Sequence, residues 1–404
     1  MASPTKKRLR KAVLTLVKVA VVAVLLGWVF SQSHWNDYVK AADDGKTYSV
    51  VAAQPDRVNP QTLTISKGLL WWRTVEPNHP VGEFKPPQEG ASIFQPGVRT
   101  AFSNVNPWLL LVSLAGYVVS LAIIGARWWM LMGIQNIRIG LWETERLAFL
   151  GQFFNAVVPA GTAGGDLVKA YYAAKHTPKK AAALVSVFVD RVTGFAELVL
   201  LAGAMLLAVR LTGAATFEQI RRAGLFVICF GCGIAGALVF LLSPRFRRAF
   251  HLEKLWKRLP IAHHIAAAGD AADLYRRRLG TLAKALLLTF GAQAIWMCSI
   301  GLLGVALGLD LPFYTYLLYV PVIYMVGAFI PTPGGVGGVE GAYVFFFAAY
   351  PQVGVSQILA LALLARLWDI ARGLPGAVIA VAGPRRPKAA EMEAELGIGA
   401  DSAE

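Results

Sequence analysis

Two glycine-rich breaks, each followed by a carboxylate, are the residues of this chain best suited to bind a ligand. The first runs from Val158 to Asp166 and the second from Ile330 to Glu340. Proline and glycine at this density end a helix, and the helix that restarts presents free N–H groups at its positive end. Such a terminus can hold a phosphate; alternatively, Asp166 and Glu340 only cap the two helices. The residues predicted at the tips are Pro159, Gly161, Gly164 and Gly165 in the first break, and Pro331, Pro333, Gly334, Gly335, Gly337 and Gly338 in the second.

Charged residues inside apolar segments form a second group of candidates. One charge at mid-bilayer costs about 2.5–3.5 kcal/mol on insertion scales, so each needs a structural or functional reason. Arginine binds phosphate through two hydrogen bonds, which favours recognition of an anionic headgroup. The alternative is that an acid neutralises a neighbouring arginine and joins helices, and both interpretations stay open. With Asp166 and Glu340, the predicted substrate-binding residues are Lys169, Asp190, Arg191, Arg366 and Asp369; Glu197 and Arg372 lie in the same segments.

The elements that must position these residues are membrane helices. The chain has 404 residues, of which 56% are hydrophobic and 16% charged. About 20 apolar residues cross the hydrocarbon core as a helix. The net charge of +15 lies in short loops beside such stretches, as the positive-inside rule predicts, so we expect no nucleic-acid partner. The predicted spans are 12–30, 107–132, 181–209, 223–242, 281–308 and 354–382.

The placement of lysine and arginine predicts that both termini are cytoplasmic. Residues 1–18 carry six basic residues and no acid, and segment 243–280 is also basic. An even number of spans is then required, and the six predicted spans satisfy it. The broken segments 141–180 and 313–350 must enter and leave on one side, so we predict re-entrant hairpins whose tips descend from opposite sides.

The two halves then have the same order of elements in opposite orientations. Asp166 precedes Arg191 by 25 residues and Glu340 precedes Arg366 by 26, which supports an inverted repeat. The predicted fold is an all-α polytopic membrane protein with six full spans, two re-entrant helical hairpins in an inverted repeat and a small β-rich periplasmic insert, which has short strands near 48–53 and 62–66. The predicted domains are 1–30 (cytoplasmic N-terminus and first span), 31–106 (insert), 107–242 (first repeat and linking span), 243–280 (basic cytoplasmic loop), 281–382 (second repeat) and 383–404 (cytoplasmic tail).

No catalytic or metal-binding constellation is recognisable in the sequence. The six histidines lack metal-ligand spacing beside a carboxylate, and Cys229 and Cys232 form a C-x-x-C pair without a second pair. We interpret these cysteines as buried apolar side chains. The strand that a nucleotide-binding glycine motif requires is also absent before Gly335 to Gly338. We therefore expect no enzyme activity, no metal and no cofactor.

Two runs of residues resemble a known family. Phe153-Phe154-Asn155, Pro159, Gly164-Gly165-Asp166 and Lys169, followed by Ser186, Asp190-Arg191 and Gly194, are similar to the signature of the lysylphosphatidylglycerol synthase transmembrane region. The run from Pro331 to Gly335, with Gly338 and Glu340, is similar to its second signature. The resemblance covers about 107–382. It implies a bacterial inner-membrane protein, flippase-like, that moves or holds a polar lipid. About twenty residues follow the last span, so the aminoacyltransferase domain of the full-length synthases is not expected.

Three functions are compatible with these residues. In the first, a lipid headgroup enters between the hairpin tips, Arg191 and Arg366 neutralise its phosphate, and Asp166 and Glu340 bind an amino or hydroxyl group or a coupling proton. In the second, the chain is a non-catalytic membrane subunit that presents lipid to a separate synthase or glycosyltransferase. In the third, it transports a small soluble solute. The expected partners are membrane lipid and, for the second function, a lipid-modifying enzyme; a homo-oligomer is left open.

Overall fold

The protein's structure, a computed structural model, describes most of residues 34–382, together with Ala20, Val24 and Gly27. The positions within that range that it does not describe are 44–45, 55–59, 68–73, 87–92, 104, 158–162, 179, 243–277, 331, 333–334 and 351. Nearly all of the predicted first span and of the basic loop, and the whole C-terminal tail, therefore lie outside the described residues. The same holds for the predicted tip residues Pro159, Gly161, Pro331, Pro333 and Gly334.

The described part of the chain contains a series of helices. In chain order they are α1 (Val98–Ser103), α2 (Pro107–Ile134), α3 (Leu141–Val157), α4 (Ala163–Ala174), α5 (Lys180–Thr212), α6 (Phe217–Leu242), α7 (Leu279–Ala306), α8 (Tyr314–Ala328), α9 (Gly338–Phe347), α10 (Val355–Ala371) and α11 (Leu374–Ala382). Residues 243–277, between α6 and α7, are not described. The chain divides into two compact units, and each unit takes residues from both predicted repeats. Unit 1 comprises Met1–Leu111, Gly301–Phe313 and Val336–Arg366; unit 2 comprises Val112–Ile300, Tyr314–Gly335 and Leu367–Glu404.

Four helices of the described part are long and apolar enough to cross a membrane. The apolar stretches are Pro107–Ile134, Ala182–Thr212, Phe217–Gly236 and Gly280–Ala306, and they correspond to four of the six predicted spans. Cys229 and Cys232 lie on the third of these helices and are exposed. The prediction that both are buried is therefore wrong, because they lie on the outward-facing side of α6.

The predicted span 354–382 is not one continuous helix but two, α10 and α11. The break falls at Arg372 and Gly373, and Pro375, which lacks a backbone N–H, lies at the second position of α11, where no intrahelical donor is needed. Helix α11 packs against α3 within unit 2. A Cβ on Gly376 would lie 2.1 Å from the carbonyl oxygen of Phe149, so only glycine permits this approach.

The order and length of the helices repeat along the chain. Helices α2 to α5 have 28, 17, 12 and 33 residues. Helices α7 to α9 have 28, 15 and 10 residues, and α10 and α11 add 17 and 9. In both series, a long apolar helix precedes a medium one, a glycine-rich break and a short helix.

The insert in unit 1 is a four-stranded antiparallel sheet in the order β1-β2-β3-β4. Its strands are β1 (Tyr38–Lys40), β2 (Thr47–Gln54), β3 (Thr62–Lys67) and β4 (Thr74–Pro80). Both strands predicted from the sequence are present, as β2 and β3. One face of the sheet buries a small apolar cluster of Val39, Val50, Leu63, Ile65 and Phe84.

The insert packs on the start of α10, which belongs to the same unit. The backbone N–H of His34 donates to Ser356 Oγ at 2.9 Å, and a Cβ on Gly354 would lie 2.9 Å from the Tyr38 hydroxyl. Burial lowers the pKa of the His34 imidazole, which stacks on the Tyr38 ring at 4.3 Å between centroids. The sheet is thus attached to the helix that carries Arg366.

In unit 2, helices α3 and α4 pack against each other as a helical hairpin. A Cβ on Gly165 would lie 1.9 Å from the carbonyl oxygen of Gly151. The N–H of Gly165 donates to Asn155 Oδ1 at 2.8 Å, which replaces a bond that the helix start lacks. The first glycine break therefore sets the distance between the two arms of the hairpin.

This close approach predicts a specific loss of stability for Gly165→Ala. The added methyl group must displace backbone, and overpacking costs about 1–3 kcal/mol. Gly203→Ala is the matched control, because nothing lies within 4 Å of a Cβ at that position of α5, and alanine favours a helix. Thermal unfolding of both variants in detergent measures the difference. Equal unfolding temperatures for the two variants would contradict the hairpin geometry.

Candidate functional site

The first predicted arginine forms a bidentate ion pair with the first predicted carboxylate. Arg191 on α5 donates from Nη2 to Asp166 Oδ1 at 2.9 Å and from Nε to Asp166 Oδ2. Asp166 lies in the first turn of α4, directly after the glycine break. The side chains are 33% and 18% exposed, respectively, so a ligand can reach this pair.

The second predicted arginine and carboxylate also form an ion pair, within unit 1. Arg366 Nε donates to Glu340 Oε1 at 2.9 Å, and Arg366 Nη2 lies 2.9 Å from the same oxygen. The other oxygen, Oε2, accepts the N–H of Gly337 at 2.7 Å. Glu340 therefore caps α9 and pairs with arginine at the same time.

The glycines of the second break supply backbone that other residues adopt at a cost. Gly335 has a φ of 72° and Gly337 a φ of 85°, both in the left-handed region that favours glycine. The positive φ at Gly337 orients its backbone N–H toward the Glu340 carboxylate. The glycines thus place the carboxylate that Arg366 contacts.

The two ion pairs share one arrangement. In each, a glycine break precedes a short helix, the acid lies in the first turn of that helix, and the arginine lies on the following helix. The sequence spacing that predicted a repeat, 25 and 26 residues, is therefore the spacing of an ion pair in each unit. An acid and an arginine at this spacing would be a usable signal for such pairs in other sequences.

Asp190 and Lys169 belong to a different cluster, which is closed to solvent. Asp190 accepts a hydrogen bond from Arg127 at 2.5 Å and one from Lys169 at 3.0 Å. Arg127 also donates to Thr289 at 3.0 Å, and the Lys169 ammonium lies 4.3 Å from the centroid of the Trp128 ring. The three charged side chains are at most 9% exposed. The adjacent Arg191 forms its ion pair with Asp166 and also interacts electrostatically with Asp190, so Asp190 joins α2, α4 and α5 and does not form the ion pair of its neighbour.

Asp369 lies in a third cluster, within unit 2. Its Oδ1 is 2.7 Å from Arg372 Nη2, and its Oδ2 accepts the hydroxyl of Tyr324 at 2.8 Å. The Arg372 guanidinium lies 5.3 Å from the centroid of the Tyr117 ring, where a cation–π interaction is favourable. Asp369 thus forms its ion pair with Arg372, three residues after it.

Sequence reasoning missed Arg127. It lies within the apolar stretch 107–132, and the rule that a charge inside a span needs a partner would have identified it. Glu197 was noted in the sequence but given no role. It is fully buried and interacts electrostatically with Arg127 and Asp190.

Comparison with known proteins agrees with the motifs. A family model described as the lysylphosphatidylglycerol synthase TM region matches residues 96–374, more than half of the chain. The chain belongs to this family. No curated protein matches it significantly, and no solved structure does. Family membership and the four apolar helices establish a membrane protein of a lipid-related family. The strands β1 to β4 precede the segment that this family shares.

The closed cluster around Asp190 predicts that loss of this acid destabilises the protein more than loss of Lys169. Asp190→Asn removes the carboxylate that both Arg127 and Lys169 contact, and breaking a buried pair in this way costs about 3–5 kcal/mol. Lys169→Met leaves the Arg127–Asp190 pair neutral, so we expect a smaller loss. Chemical or thermal unfolding in detergent compares the two variants.

The control for this comparison is Arg146→Gln, which breaks the exposed pair of Arg146 and Glu143 on α3. An exposed pair contributes about 0–1 kcal/mol. If Lys169→Met proved as destabilising as Asp190→Asn, the description of Asp190 as the acid shared by two buried cations would be wrong.

Proposed function

We propose that this protein of the lysylphosphatidylglycerol synthase TM-region family binds a polar lipid and translocates it between leaflets. The observation that carries the proposal is the recurrence of one ion pair, Asp166–Arg191 in unit 2 and Glu340–Arg366 in unit 1, beside a glycine break each time. A purely structural ion pair needs neither the break nor the repetition. A site that must hold and release a charged headgroup uses both.

The proposed chemistry is an exchange of anions on the arginine. Guanidinium presents the same two-donor geometry to a phosphate as to a carboxylate. The Arg191 side chain is 33% exposed, so the headgroup phosphate displaces Asp166 from it. The released carboxylate then binds an amino or hydroxyl group of the headgroup, or a proton. No covalent step is assigned to this chain.

The second pair supports the same exchange with a fixed carboxylate. Glu340 Oε2 keeps its bond to the N–H of Gly337 while Oε1 faces Arg366. Loss of Arg366 from Oε1 therefore leaves the acid in place at the start of α9. A carboxylate held in this way is positioned to take up a headgroup amine when the phosphate binds the arginine.

We further propose an inverted repeat in the bacterial inner membrane, with six spans, two re-entrant hairpins and both termini in the cytoplasm. The repeated order of helices supports the repeat. One groove in unit 2 is lined by Arg138, just after α2, and Arg278, just before α7. The end of α2 and the start of α7 must lie on the same side of the membrane in the proposed topology, and the shared groove agrees with this. Lysine and arginine are enriched on the cytoplasmic side, which supports a cytoplasmic location for this side.

The anion exchange predicts opposite effects on lipid binding for the two partners of one pair. Arg191→Ala removes a charged hydrogen-bond donor worth about 1.5–3 kcal/mol, so affinity for an anionic phospholipid falls roughly tenfold to hundredfold. Asp166→Asn removes the competing carboxylate, so affinity rises. Fluorescence anisotropy of a headgroup-labelled, short-chain anionic phospholipid with the purified protein measures both. A pair with only a structural role would give weaker binding, or none, in both variants.

Translocation predicts a second set of outcomes in liposomes that contain the purified protein. Movement of headgroup-labelled lipid, detected by a quencher added outside, is lost in Arg191→Ala and Arg366→Ala and kept in Arg146→Gln. Suppose that lipid binding follows the prediction above but the unaltered protein moves no lipid. The protein would then present lipid to another enzyme rather than translocate it.

The proposed topology predicts one-sided access to the two breaks. After Cys229 and Cys232, which are exposed, and Cys298 are replaced by serine, Thr162→Cys should react only with a membrane-impermeant thiol reagent supplied on the cytoplasmic side. Val336→Cys should react only from the other side. Reaction of both single-cysteine variants from the same side would exclude the inverted hairpins.

A further inference from the structure

A groove of about 710 Å³ lies in unit 2, where the end of α2 and the connection to α3 meet the start of α7. Its apolar wall includes Ile134 and Ile137, which are almost fully buried beneath it. Leu131 and Ile134 of α2 pack with Ala285 of α7 next to the groove. The groove thus lies next to packed apolar side chains of two candidate spans.

Two arginines and no carboxylate line this groove. Arg138 and Arg278 are both exposed, and neither guanidinium has an ion-pair partner in the part of the chain that the structure describes. Elsewhere in unit 2, Arg127, Arg191 and Arg372 are each paired with an acid. Two cations without an acid partner among the described residues, above an apolar wall, complement a ligand that has an anionic head and an apolar body.

The depth of the groove in the membrane also fits such a ligand. Arg138 follows the candidate span Pro107–Ile134, and Arg278 precedes the candidate span Gly280–Ala306, so the groove lies where two apolar segments end. Trp129 lines it with a 41% exposed side chain, and its indole N–H donates to the carbonyl of Ile139 at 3.0 Å. Tryptophan with one wet and one apolar side is typical of the membrane–water boundary.

We infer that this groove binds an anionic phospholipid of the leaflet in which it lies, with the phosphate between Arg138 and Arg278 and the acyl chains along the apolar wall. Basic pockets between membrane helices are suited to anionic headgroups. The site is separate from the ion pairs of the proposed translocation pathway and does not depend on transport. A lipid bound here bridges α2 and α7 at their ends.

Trp129 allows the inference to be tested in the full-length protein. The protein is reconstituted into phosphatidylcholine nanodiscs that contain a bromine-labelled phosphatidylglycerol, and the Trp129 signal is obtained as the difference from Trp129→Phe. We expect stronger quenching of Trp129 by brominated phosphatidylglycerol than by brominated phosphatidylcholine. With both arginines replaced, Arg138→Gln and Arg278→Gln, the preference falls by about fivefold per arginine and about thirtyfold in total.

The control removes the same amount of charge away from the groove. Arg210 and Arg221 are exposed on α5 and α6, and the pair Arg210→Gln with Arg221→Gln should leave the preference unchanged. Three results would overturn the inference: equal quenching by both brominated lipids, a preference that survives loss of Arg138 and Arg278, or no quenching by either lipid. The last result would show that another occupant, such as segment 243–277, covers the groove.

Discussion

The requirement that a buried charge be neutralised determines how the short helices of this protein are held. Helix α4 has only 12 residues, and an isolated helix of that length is marginal. It is anchored to α5 twice, through Asp166 to Arg191 and through Lys169 to Asp190. Because a carboxylate or ammonium in an apolar environment is costly without its partner, these contacts hold α4 in one register along α5.

Glycine makes these ion pairs geometrically possible. A Cβ on Gly151 would lie 2.8 Å from Cγ of Lys169, so the missing side chain gives the lysine a path to Asp190. Gly165 allows α3 to approach α4, and Gly337 supplies the N–H that orients Glu340. Each glycine is required by a contact of its neighbourhood rather than by flexibility alone, which explains why the breaks combine glycine with a nearby acid.

Much of the architecture follows from sequence because apolar length and loop charge are local properties. Four predicted spans, the two predicted strands of the insert and the positions of both breaks agree with the structure. The division of 354–382 into α10 and α11 was not predicted. The break coincides with the approach of Gly376 to Phe149, a contact between residues more than two hundred positions apart that the local sequence does not reveal. Side-chain partners were predicted least well for the same reason.

Burial and charge distinguish the closed Asp190 cluster, which joins helices, from the Asp166–Arg191 pair, in which a ligand can replace the carboxylate. Asp190 contacts two buried cations in a closed cluster, so displacing this acid would remove the ion-pair partner of both. That cost favours a permanent, helix-joining role. The Asp166–Arg191 pair is neutral and partly exposed, and a phosphate that replaces the carboxylate on Arg191 pairs the arginine again.

The proposed exchange nevertheless leaves a free carboxylate and thus one uncompensated negative charge. A headgroup that carries an amine beside its phosphate supplies the missing positive charge itself; a headgroup with phosphate alone requires a proton on Asp166. The same reasoning applies to Glu340, which is only 3% exposed and therefore tolerates an unpaired charge less well. In the proposed exchange, charge conservation at these two pairs would select a lipid with a cationic group near its phosphate, or would couple the movement of an anionic lipid to the uptake of protons.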